Sequence, residues 1–226
     1  MAVGLADRRS PTAVGGEKVL KKKTGNTQPF EPSRLFASQK AWAAWLEKNH
    51  RKSDGLWLRL AKKNSGLKSV SYAEALEIAL CYGWIDGQKR PNSEQLWLQR
   101  FLPRSARSIW SKINREKALA LTARGEMKPA GLEAIELAKN NGRWESAYDS
   151  PRAAEIPEDF QAALNANPSA RAFFESLDRA NRYAVLFRIQ TVKKAVTRAG
   201  KIRQFVEMLE RNEKIHQPRK PRRTPK

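Results

Sequence analysis

Two six-residue segments, Leu56-Trp57-Leu58-Arg59-Leu60-Ala61 and Leu96-Trp97-Leu98-Gln99-Arg100-Phe101, constrain the fold of this chain more than any other feature. Both alternate with a period of two, so Leu56, Leu58 and Leu60 face one way while Trp57 and Arg59 face the other. Asp54-Gly55 turns the chain into the first segment and Pro103 stops the second. Paired in register, they predict a small Trp-bearing antiparallel sheet with Trp57 stacked on Trp97.

Helical periods surround these segments. Ser38 stands in N-cap position for a helix over Gln39 to Asn49 that turns Trp42, Trp45 and Leu46 inward. Ser71-Tyr72-Ala73-Glu74 has capping-box spacing and predicts a helix to about Tyr82, with Ala75, Leu76, Ala79 and Leu80 on its buried face. Gly83 breaks that helix, and Trp84-Ile85-Asp86-Gly87 reads as a turn. Ser108 predicts a helix from Ile109 to about Arg124, and Pro129 another to Lys139. The stretch Glu145 to Glu155 has no periodicity and reads as a linker. Pro157, Pro168 and Arg179 then open short helices. Thr191 caps a last one, with Val192, Val196, Ala199, Ile202, Phe205, Val206 and Leu209 on one stripe. The expected fold class is α+β: a small Trp-bearing antiparallel sheet with helices over 33–148, followed by an all-α unit over 149–214. Basic tails, 1–32 and 215–226, are expected to be disordered.

Composition excludes several classes of function. Cys81 is the single cysteine of 226 residues, which removes a disulfide framework and any multi-cysteine metal site. His50 and His216 lie too far apart for a helical zinc pair. The longest apolar run, Ala41 to Leu46, falls far short of the roughly 20 residues that span a bilayer. Asp7 and Glu17, with no apolar segment nearby, argue against a signal peptide. No G-x-S-x-G elbow, P-loop or G-x-G-x-x-G motif occurs, so no catalytic residue is nominated and neither cofactor nor metal is expected. Cys81 is expected as a buried inert thiol, and His50 as a cap on the end of the first helix.

Charge is the compositional outlier. The formal net charge is +21, and residues 29–216 alone carry 33 basic against 21 acidic side chains. From Arg179 to Arg203 there are eight basic residues and no acidic one. Lys193, Lys194, Arg198 and Lys201 are expected on the outward side of the last helix, where they suit the phosphate backbone of nucleic acid or another polyanion. The same face also serves plain solubility. A second candidate site gathers Trp84, Asp86, Arg104, Arg107, Trp110 and Asn114 near a helix N-terminus, as a small-ligand or anion pocket. Against it stands the ordinary reading: Asp86 closing a turn before Gly87, Trp110 in the core, and both arginines solvated.

Five segments carry a family resemblance: GLWLRLAKK (55–63), SYAEALEIALCYGWIDGQK (71–89), WLQRFLPRSARSIWSKIN (97–114), GRWESAYDSP (142–151) and NRYAVLFRIQTVKKAVTR (181–198). The chain resembles the YdeI/OmpD-associated, or bacteriocin-protection, family from about Phe30 to Lys214. It departs from that pattern at Ala195-Val196, where Pro-Glu is expected, and at Leu102, where Thr is commoner. The resemblance implies a bacterial, cytoplasmic protein whose C-terminal unit, 149–214, is the family's helical domain. The expected role is non-enzymatic binding, in stress or in protection against bacteriocins and antimicrobial peptides.

Overall fold

The computed structural model describes residues 33–217; the expectations for residues 1–32 and for 218–226 lie outside them. The first elements are β1 (Ser33–Arg34), α1 (Gln39–Asn49), β2 (Leu56–Ala61), α2 (Tyr72–Cys81), β3 (Trp84–Pro91) and β4 (Leu96–Pro103). Two further helices follow, α3 (Lys112–Ala123) and α4 (Pro129–Asn140). The C-terminal part is helical: α5 (Glu158–Asn165), α6 (Pro168–Ser176), α7 (Arg179–Gln190) and α8 (Ala195–Glu210). The α+β class therefore stands.

Local chemistry sets the first helices where the sequence places them. The Ser38 hydroxyl accepts the Ala41 N–H, and His50 closes α1 with both its backbone N–H and its ring against the Leu46 carbonyl. At Ser71 both halves of the capping box are made, since its hydroxyl accepts from Glu74 N–H and Glu74 accepts from Ser71 N–H. Cys81 at the end of α2 is buried, and burial, with the nearby Glu126 adding to it, pushes its thiol up to about 11.

The sheet has the order β1-β2-β4-β3, so β4 lies between β2 and β3. The two expected strands, β2 and β4, pair antiparallel; β3 joins β4 antiparallel as well, and the short β1 adds a parallel edge to β2, making the sheet mixed. Register corrects the tryptophan stack. Trp57 lies opposite Arg100 and Trp97 opposite Leu60, so the two indoles occupy opposite faces. Arg90 covers Trp57 at 4.5 Å from its ring centroid, while Lys89 lies 4.2 Å from that of Trp97.

Residues 84–87 are a strand rather than a turn. The reversal is completed one residue earlier, at Gly83, whose φ of +72° puts the chain in the left-handed region and whose N–H bonds to Leu80. Trp84 and Asp86 then share the face of Phe101 and the β2 leucines, and a register slip between Asp86 and Lys89 absorbs Gly87. That face packs on α1 and α2. Trp42, Leu46, Leu58, Leu80, Trp84 and Phe101 form its centre, and the indole N–H groups of Trp42 and Trp84 donate to the Ala75 and His50 carbonyls.

Two helix starts differ from expectation. Ser108 spends its hydroxyl on the Ser105 N–H, closing a turn, so Ser111 becomes the cap of α3 and Trp110 precedes the helix. Thr191 bonds back to the Phe187 carbonyl and ends α7. The cap of α8 is Lys194, which makes no side-chain cap bond. Val192 consequently lies before α8, and Val196, expected on the buried stripe, is 88% exposed. Ile202, Phe205 and Leu209 do face inward, onto a second core built on Phe160, Phe174 and Val185.

The segment read as a linker is structured at its centre. Tyr148 forms a parallel bridge with Ser111, and Asp149 accepts from Lys112 at 2.6 Å and from Gln190 at 2.7 Å. The Tyr183 hydroxyl donates to the Asp149 carbonyl, and Tyr148 meets Phe187 edge-on at 4.9 Å. These contacts join α3 to α7, and the described residues fall within one compact unit.

Candidate functional site

The junction between the two cores leaves a cleft of about 440 Å³. Its walls come from the N-terminal half of α2 (Tyr72, Leu76), from Asp86 on β3, and from Ser111, Ile113, Asn114 and Lys117 at the start of α3. Tyr148, Pro151 and Tyr183 close the remaining side. Asp86 reaches this position because its pairing with Phe101 turns it to the core face of an edge strand, where Tyr72 begins the overlying helix.

Asp86 and Tyr72 form the polar centre. The Tyr72 hydroxyl donates to Asp86 Oδ2 at 2.8 Å. Burial, then that bond and the charge of Asp86, drives the Tyr72 phenol well above its ordinary range. Tyr148 is raised too, first by burial and then by Asp86, and burial pushes Tyr183 up to about 12. The Tyr72 and Tyr183 hydroxyls spend their one proton on Asp86 and on the Asp149 carbonyl, which leaves their oxygens as acceptors. The Asn114 carboxamide makes no side-chain hydrogen bond to the described residues, whereas Lys117 is tied to Glu77 at 2.7 Å.

The structure separates the six residues considered as one pocket. Asp86 and Asn114 line the cleft together. Trp84 is 1% exposed in the core, with its indole N–H bonded to His50. Trp110 is buried and meets Trp144 edge-on at 4.9 Å. Arg104 lies over Trp110, its Cζ 3.5 Å from the ring centroid, and donates through Nη1 to the Ile109 carbonyl. Its Nε and Nη2 are buried without a hydrogen-bond partner, and burial pulls the guanidinium down to about 10. Arg107 is exposed, on the turn before Trp110.

The four C-terminal cations are not equivalent. Lys193 donates to the Asn141 and Gly142 carbonyls at 3.2 and 3.3 Å. Arg198 holds Asp159 with two bonds, 2.6 and 2.9 Å, and caps the end of α7 through the Ile189 carbonyl at 2.7 Å. Lys201 donates to Gln204. Lys194 is exposed at the start of α8.

Tyr72, Tyr148 and Tyr183 were not singled out from the sequence. They lie on a helix start, a loop and a helix interior, with no shared spacing. Each does fall inside one of the segments that carry the family resemblance, as do Asp86 and Asn114. Among the described residues no group of three metal-ligating side chains occurs, and no helix is long and apolar enough to cross a membrane.

Comparison with known families divides the chain. Residues 153–212 match the model described as bacteriocin-protection, YdeI or OmpD-associated. Residues 34–134 match a separate model, a domain of unknown function (DUF8412). No curated protein and no solved structure gives a match. The C-terminal segment thus carries the YdeI/OmpD-associated resemblance, over a shorter span than the sequence segments suggest.

Proposed function

We propose that this protein, of YdeI/OmpD-associated type in its C-terminal segment, is a cytoplasmic binding protein whose ligand is a small molecule held in the cleft around Asp86. The observation that carries the reading is convergence. A carboxylate, an open carboxamide and three phenols, drawn from α2, β3, α3, the 148–151 segment and α7, line one cavity of about 440 Å³. Cavities of a few hundred cubic ångströms with apolar walls and a few aimed polar groups are the usual form of ligand sites. Binding rather than covalent chemistry is favoured because the sole cysteine is buried and its thiol raised. A role in stress or in protection against bacteriocins and antimicrobial peptides would then be exercised through ligand capture.

The test is a metabolite screen by thermal shift on the full chain. A true ligand at a hundredfold excess over its Kd stabilises the fold by about 2.7 kcal/mol. Asp86→Asn should reduce that gain, and a screen without any Asp86-dependent stabilisation would refute the proposal. A second reading, contact with nucleic acid or another polyanion, is supported by the exposed Arg179, Arg188, Lys194 and Arg203 on a stretch without acids. It requires affinity for mixed-sequence DNA that falls steeply with salt, and fails if binding is absent at low salt.

A further inference from the structure

The chemistry of the cleft also restricts what it can hold, provided the cleft is the binding site proposed above. An anion is poorly served. Three of the first four amides of α3 are already committed: Asn114 N–H to the Ser111 hydroxyl, Lys112 N–H to the Tyr148 carbonyl, and Arg115 N–H to the Ser111 carbonyl. The Lys117 ammonium is paired with Glu77. Arg104 is close enough to feel Asp86, yet its two unpartnered nitrogens are buried and present no surface to a ligand. Acceptors, by contrast, remain open. Asp86 uses Oδ2 for Tyr72, while Oδ1 accepts no hydrogen bond from the described residues. Asn114, Tyr72 and Tyr148, each with a side-chain oxygen, line the same space, Tyr148 beside the Ser111 hydroxyl. Apolar surface from Leu76, Ile113 and Pro151 and the ring of Tyr183 completes the wall.

We propose that the ligand of this cleft is a small organic amine, an ammonium group on a compact apolar or aromatic body, anchored by Asp86. The ammonium sits on Oδ1 with the Asn114 and tyrosine oxygens as further acceptors. Its body lies against Leu76, Ile113, Pro151 and Tyr183. Aromatic faces beside a carboxylate suit such a cation, because the ring quadrupole adds to the ionic hydrogen bond. A hydrogen bond between an ammonium and a carboxylate is roughly twice as strong as one between neutral groups, so a neutral isostere should bind markedly less well.

Phenethylamine, 2-phenylethanol and phenylacetate share one body and differ in the end group, which makes them direct probes. Each is titrated into the full chain with amide chemical shifts followed by NMR. The amine should bind about tenfold or more tightly than the alcohol, with shifts at the cleft, and phenylacetate should bind least. Asp86→Asn, which keeps the shape and an acceptor for Tyr72, should bring the amine down to the level of the alcohol. Should that variant lose its fold by circular dichroism, the order of the three probes on the wild-type chain decides alone. Equal binding of amine and alcohol at the cleft would overturn the amine assignment and leave the binding-site reading intact. Preference for phenylacetate, shifts away from the cleft, or no binding by any of the three would also overturn the assignment. Failure of the binding-site reading is a separate result, the absence of any Asp86-dependent hit in the wider screen.

Discussion

Asp149 joins the two cores, so its removal should loosen the whole fold. Its side chain is 16% exposed and holds Lys112 at 2.6 Å and Gln190 at 2.7 Å. The Gln190 bond to a carboxylate accounts for about 1.5–3 kcal/mol. The Lys112 pair adds less, about 0.5–1 kcal/mol, because the lysine is nearly half exposed and solvent screens it. Asp149→Ala should therefore cost about 2–4 kcal/mol. In urea denaturation of the full chain this lowers the midpoint by about 1 M with an unchanged slope. The pH dependence has a definite sign. Burial alone would raise the Asp149 carboxyl, but the hydrogen bonds from Lys112 and Gln190 outweigh it and hold the carboxyl below its ordinary value. A depressed carboxyl contributes in full above its unfolded pKa, near 4, and loses the contribution as pH falls through the lower folded value. The wild-type advantage over Asp149→Ala should accordingly shrink below pH 4. A cost under about 0.5 kcal/mol at pH 7 would refute the reasoning, since it would make the junction dispensable.

Three other substitutions probe separate parts of the account. Gly131→Ala places a Cβ against the Cys81 carbonyl oxygen and the Met127 methyl, where α4 meets the end of α2, and should cost about 2 kcal/mol or more by chemical denaturation. Val196→Glu puts an acid in the first turn of α8 in place of an exposed valine; it should stabilise by about 0.3–1 kcal/mol at low salt, seen as a raised thermal midpoint. Arg198→Ala breaks the Asp159 pair and the cap on Ile189, so it should lose about 1.5–3 kcal/mol in urea. A variant of full stability with weakened DNA binding would instead return Arg198 to the polyanion reading.

How far the fold was legible depends on what each residue needs to know. Ser38, Ser71 and the leucines of β2 act through neighbours a few positions away, and their elements lie where spacing placed them. Ser108 and Ser111 both have a hydroxyl at a helix entrance, and the choice between them rests on whether Ser105 takes one of them for a turn. Asp86-Gly87 looks like a turn because Asp-Gly often is one. It becomes a strand because Gly83 has already reversed the chain and β4 offers an open edge. Thr191 likewise has the look of a cap, but its hydroxyl bonds backward to Phe187. Val196 appears apolar-stripe material by period, though it occupies a position where the related pattern has an acid. The cleft was half legible. Asp86 and Asn114 stand out in the sequence as chemistry-bearing side chains, and both line the cleft. The tyrosines were not, because their meeting depends on the Ser111–Tyr148 bridge and on the docking of α7 through Asp149, contacts between segments some 35–40 residues apart.

The central claim is that the Asp86 cleft binds a ligand, and amide-resolved NMR of the full chain against pooled polar metabolites tests it most directly. The account predicts that at least one pool moves the amides of residues 72–76, 86, 111–117 and 148–151, and that Asp86→Asn abolishes the response. Shifts confined to residues 188–203, with the cleft silent for every pool, would contradict it and place the binding surface on the basic helices instead.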